Sequence, residues 1–60
     1  PLEATDFAVG EKITITHGSL KGVSGIVQRV KNALRLVVNV DLLGRGVAVE
    51  LDVAALRKTV

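Results

Sequence analysis

Residues 34–40, Leu-Arg-Leu-Val-Val-Asn-Val, decide the fold. Leu34, Leu36, Val38 and Val40 fall at every second position. A period of two is the signature of a strand with one face in a core and one in water. Working outward, residues 47–51 (VAVEL) repeat the alternation and direct Val47, Val49 and Leu51 inward. Between these stretches Asp41 to Gly46 (DLLGRG) reads as a turn with two glycines. Upstream, residues 23–31 (VSGIVQRVK) read as another strand with one fault, because Val27 and Val30 are three apart. A bulge near Gln28 lets both valines reach the core. Lys31-Asn32-Ala33 is the short turn that follows. Residues 12–17 (KITITH) alternate again, with Ile13 and Ile15 on one side and Lys12, Thr14 and Thr16 on the other. After residue 51, Asp52 is placed to cap a helical or 3₁₀ turn over Val53-Ala54-Ala55. A short closing strand is expected over residues 56–59.

Four to five short strands, glycine-bearing turns and no long helix predict an all-β fold, a small closed barrel. Residues 1–8 (PLEATDFA) show no periodicity and read as a linker or tail, with Phe7 the first large apolar anchor. That opening has the look of a chain cut at a domain boundary. One domain over residues 9–60 is expected.

Sixty residues leave room for a single small core. There is no cysteine, so no disulfide and no thiolate metal site, and the one histidine, His17, removes every two-histidine site. The absence of cysteine suits a reducing cytoplasm. No apolar run approaches the length of a membrane span. No cofactor is expected.

Catalysis fails on inventory. Ser19 and Ser24 are the only serines and His17 the only imidazole. His17 lies at the end of a strand, without a partner for acid–base work. Turn and cap duties account for Asp41 and Asp52. Gly18, Gly22 and Gly25 form G-x-x-x-G-x-x-G, but a phosphate loop needs a helix next, and a valine-rich strand follows. Glycines that supply positive φ and tight turning explain the pattern.

Charge and aromatics narrow the binding classes. The net charge is +2 and Phe7 is the only aromatic residue. Base stacking on several rings is therefore excluded as a mode of single-strand recognition. Lys21, Arg29, Lys31 and Arg35, with Arg45, lie over turns and outward strand positions. They form either a solvated face or a weak phosphate-binding one. Leu42 and Leu43 are out of place, because turns are normally polar. Leu20, in the first glycine loop, is equally misplaced, and Val23 follows it. Two readings stay open: these residues cap the end of the core, or they form an apolar patch for a partner. Arg45 beside Leu43 favours the patch, since arginine next to apolar anchors is typical of interface hot spots.

The stretch KITITHGSLKGVSGIVQRV resembles the KOW motif, with Gly18, Gly22 and Gly25 as its glycines. LRLVVNVDLLGRGVAVELD is similar to the end of the NusG family of transcription factors. Leu42-Leu43-Gly44-Arg45 stands for the family's apolar pair and Gly-Arg, and Val49-Glu50-Leu51-Asp52 for its V-E-L-D strand. The resemblance spans residues 7–58. It implies a C-terminal KOW domain, an SH3-like five-stranded barrel, that recruits a second factor while an N-terminal domain outside this stretch binds RNA polymerase. The implied partners are the ribosomal protein NusE or the termination factor Rho. The implied contact residues are Leu20, Val23, Ser24, Leu42, Leu43 and Arg45. A monomer is expected.

The departures are informative. Gly18-Ser19-Leu20 stands where general members have Gly-Pro-Phe, and Leu43 and Val23 stand where aromatics are common. They point to a specialised paralog of the antiterminator kind. Some paralogs refold this domain as a helical hairpin. The valine-rich strands and Gly44 and Gly46 argue against a stable helical state here. The alternative function is an RNA-binding KOW module like those of ribosomal proteins, using Lys21, Arg29, Lys31 and Arg35.

Overall fold

An apolar row on every second residue is shielded only if neighbouring strands pair with their rows on the same side. The computed structural model, which describes residues 3–59, shows this arrangement. Five antiparallel strands form one sheet: β1 (Lys12–Ile15), β2 (Ser24–Val30), β3 (Arg35–Leu42), β4 (Arg45–Asp52) and β5 (Leu56–Lys58). Their order across the sheet is β4-β3-β2-β1-β5. Two 3₁₀ turns, Ala4–Asp6 and Val53–Ala55, are the only helical pieces among the described residues. The architecture is all-β and compatible with a small SH3-like barrel. The expected ring closure is absent: among the described residues no ladder joins β4 to β5.

The core lies on one face. Ile13 and Ile15 of β1, Val27 of β2 and Leu36, Val38 and Val40 of β3 are fully buried. Burying side chains of this size stabilises by roughly 1.5–3 kcal/mol each. No polar or charged residue is buried among the described residues, so the core carries no desolvation penalty of that kind. The fault in β2 is resolved by a bulge. Val27 pairs with Val38 and Arg29 with Val37, which leaves Gln28 as the extra residue. Val27 is thereby buried and Val30 packs partly against the core. Asp52 caps the second 3₁₀ turn, its Oδ1 accepting from the Ala54 N–H at 2.9 Å.

Several expectations need correction. Leu34 is 60% exposed. The turn after β2 runs one residue further than expected, because Asn32 Oδ1 accepts from both the Leu34 and Arg35 N–H groups. The turn expected over Asp41 to Gly46 shrinks to Leu43-Gly44, with Leu42 paired to Arg45 and Asp41 to Gly46. Val47 is 38% exposed, and Val49 and Leu51 are only half-buried. All three face the core side, opposite Val40, Val38 and Leu36. They sit on an edge strand with a neighbour on one flank only, so correct alternation does not give full burial.

The described part of residues 1–8, expected as a tail, is packed. Ala4 and Phe7 are buried in the core, and the Ala4 N–H donates to the Ala33 carbonyl at 2.7 Å. Lys58 Nζ lies 5.6 Å from the centre of the Phe7 ring.

Candidate functional site

Strand register decides which loops meet. Gly25 is opposite Val40 across β2 and β3, and Leu42 is opposite Arg45 across β3 and β4. The glycine loop before β2 and the β3–β4 hairpin therefore occupy the same end of the sheet. All six residues expected at a partner surface fall at this end. Leu20, Val23 and Leu42 are half-buried and pack against the core. Ser24, Leu43 and Arg45 are exposed. Three of the misplaced apolar residues thus close the end of the core and still show a side to water. Leu43 does not share in that closure, since its relative exposure is 103%.

The hairpin turn explains the presentation of Leu43. Leu43 has φ 53 and Gly44 φ 78. Two consecutive positive φ values make the mirror-image turn that suits the right-handed twist of paired strands. Such turns favour Asn, Asp or Gly, because a left-handed L residue crowds its own Cβ. Leucine at the first position costs stability and buries nothing. Arg45 follows on the core-facing row of β4, beside Leu42, and makes no ion pair among the described residues.

The basic residues do not form one face. Lys21 precedes β2 and Lys31 follows it, so they lie at opposite ends of that strand. At the far end Glu50 holds two of the cations. Its Oε1 accepts from Lys31 Nζ at 2.8 Å and its Oε2 from the Arg35 guanidinium at 3.3 Å. The Lys31 hydrogen bond, helped by both positive charges, holds the Glu50 carboxyl below its ordinary value. Arg29 is one strand away, paired with Val37, which in turn pairs with Glu50. Asp52 lies opposite Arg35.

Lys21 has a different neighbour, Arg57, which the sequence reading passed over. The two line an open cavity of about 300 Å³ with Thr14, Ile15, Thr16 and Gly22. Arg57 is placed by the β1–β5 ladder, opposite Thr14. A three-residue closing strand has too little periodicity to show which side chain points outward. Only the pairing with β1 fixes it. His17 is exposed, with Nδ1 2.8 Å from the Thr16 hydroxyl. Among the described residues no three His, Asp or Glu side chains cluster as a metal site, and no helix is long and apolar enough to cross a membrane. A scan against protein-family models and a search of curated proteins both find no match to this chain.

Proposed function

We propose that this chain is a non-enzymatic, cytoplasmic protein-recruitment domain of a NusG-like transcription elongation, termination or antitermination factor. It binds NusE or Rho through Leu20, Val23, Ser24, Leu42, Leu43 and Arg45. The observation that carries the reading is Leu43, a fully exposed leucine held in a left-handed turn position. Local strain of this kind persists where something other than folding selects the residue. Half-buried Leu20, Val23 and Leu42 supply the apolar surround, and Arg45 supplies directional donors.

The test is calorimetric titration of the domain with purified NusE, alongside thermal melts. Truncating a hot-spot residue costs about 2 kcal/mol or more in affinity. Leu43→Ala and Arg45→Ala are expected to keep the fold and weaken binding at least about tenfold. Glu50→Ala, on the outer face of β4 toward its other end, is expected to leave binding unchanged. Native folding with unaltered NusE binding removes the hairpin from the interface. Absence of wild-type binding moves the assignment to Rho or to RNA, each titrated in the same way.

A further inference from the structure

The edges of a sheet expose backbone N–H and C=O groups that a further strand can pair. The two edges of this sheet differ. β5 is three residues long and carries Arg57 and Lys58, and a short cationic edge resists pairing. β4 is eight residues long, and between Arg45 and Glu50 it reads Gly-Val-Ala-Val, with neither charge nor proline. Outside its ladder with β3, no backbone group of Arg45–Asp52 makes a backbone hydrogen bond among the described residues.

The hairpin determines which groups are free. Its two-residue turn makes Leu42 and Arg45 a hydrogen-bonded pair, and bonded and non-bonded pairs alternate from there. Arg45, Val47, Val49 and Leu51 therefore bond to β3. Gly46, Ala48 and Glu50 direct their N–H and C=O groups to the open flank. On that flank the core-facing row is also uncovered, with Val47 38% exposed and Val49 and Leu51 half-buried.

We propose that β4 pairs antiparallel with β4 of a second copy of this chain, about a two-fold axis at Ala48. Ala48 then faces Ala48, and Gly46 of each copy faces Glu50 of the other, so every free N–H and C=O of these three residues is used. Val47 of each copy lies beside Val49 of the other, on the core-facing side, and the uncovered apolar row gains a neighbour. Charge selects this register. A shift that places Ala48 opposite Glu50 makes the two Glu50 side chains diagonal neighbours, roughly 7–8 Å apart. With Gly46 opposite Glu50 they are more than about 13 Å apart, at the usual rise per strand residue. A shift the other way draws Gly44 of the turn into the ladder. Antiparallel pairing also sets Arg45, which no carboxylate holds among the described residues, level with the acidic end of the other strand, Glu50 and Asp52. An edge contact of this length buries far less than the roughly 1,600 Å² of a standard interface, so the dimer forms only in concentrated solution. The monomer expected from the sequence is its dilute form. The pairing uses the backbone of β4 and is independent of the recruitment reading.

The experiment is sedimentation velocity of the domain alone over a wide concentration range, with amide exchange followed by NMR. The wild type is expected to pass from monomer to dimer, with protection of the Gly46, Ala48 and Glu50 amides rising as it does. Ala48 is exposed and lies opposite exposed Asn39, so a charge there leaves the fold intact, as thermal melts check. On the two-fold axis that charge meets itself at a Cα separation of about 5.5 Å. Ala48→Lys and Ala48→Glu are each expected to weaken dimerisation at least about tenfold, and an equimolar mixture of the two to restore it. Leu43→Ala, beyond the paired segment, is expected to leave it unchanged. A wild type that stays monomeric at the highest soluble concentration overturns the proposal. So does a mixture no more associated than either variant alone, or a dimer that Leu43→Ala abolishes, which would assign the contact to the hairpin tip.

Discussion

Leu43 occupies backbone geometry that leucine tolerates poorly, and it buries none of its side chain in exchange. A left-handed L residue costs roughly 1–2 kcal/mol. Asparagine relieves part of that cost and suits the first position of this turn before Gly44. Leu43→Asn is therefore expected to stabilise the domain by about 0.5–1 kcal/mol, read as a higher thermal midpoint, while weakening partner binding. A lower midpoint would show that the leucine contributes to folding. Glu50 makes the opposite kind of contribution. Its folded carboxyl titrates below the ordinary value of 4.5, chiefly because of the Lys31 hydrogen bond. A depressed carboxylate stabilises the fold fully above its unfolded pKa, and that stabilisation is lost as pH falls through the folded one. Glu50→Gln is expected to flatten the acid limb of the midpoint-versus-pH curve below 4.5 and to leave its shape near neutrality alone. An acid limb identical to wild type would mean the two ion pairs do not persist in solution.

Among the elements, β2 shows most clearly what a pattern of residues conveys and what it hides. The three-residue spacing of Val27 and Val30 announced the bulge, and the register shift at Gln28 is its physical form. The spacing of Gly25 with Gly18 and Gly22 suggests a turn glycine. Those two do have positive φ, but Gly25 lies inside the strand. A Cβ there would come within 2.5 Å of Val38 Cγ1, 2.8 Å of the Asn39 carbonyl oxygen and 2.9 Å of Val40 Cγ1. The backbone oxygen cannot rotate away, so Gly25→Ala must push β3 from β2. Overpacking of this kind costs about 1–3 kcal/mol. Urea unfolding of Gly25→Ala is expected to show that loss, and a midpoint equal to wild type would mean the strands part without cost. β4 carries the complementary lesson. Its alternation correctly gave the core-facing side of Val47, Val49 and Leu51, yet facing the core is a property of one strand. Burial depends on what lies across the gap, and an edge strand lacks that neighbour on one flank. The apolar cluster at that end of the sheet was legible because leucines in a turn violate a local rule. The Lys21–Arg57 cavity was not, because it exists only through the pairing of β1 with β5.

For the whole molecule the margin is narrow. A domain of 60 residues without a disulfide has about 3–5 kcal/mol of net stability. Val38 lies at the middle of the core, fully buried between Val27 and Val49 in the register. Val38→Ala is expected to cost about 1–3 kcal/mol, a large share of that total, in urea unfolding. The order of strands also divides the chain by time. β2, β3 and β4 are consecutive neighbours joined by short turns, whereas the Thr14 and Thr59 hydroxyls meet across 45 residues. Closing the longer loop loses more chain entropy before any contact is gained. The three-stranded meander is therefore the expected folding nucleus, and β5 docks after the barrier. Chevron analysis can read this order. Val38→Ala should slow refolding, whereas Leu56→Ala, at a buried position in β5, should mainly hasten unfolding. Equal slowing of refolding by both would place the β1–β5 seam in the transition state. If the order holds, the cavity lined by Lys21 and Arg57 is the last part of the domain to assemble and the first to open, since Arg57 reaches its place only when that seam closes.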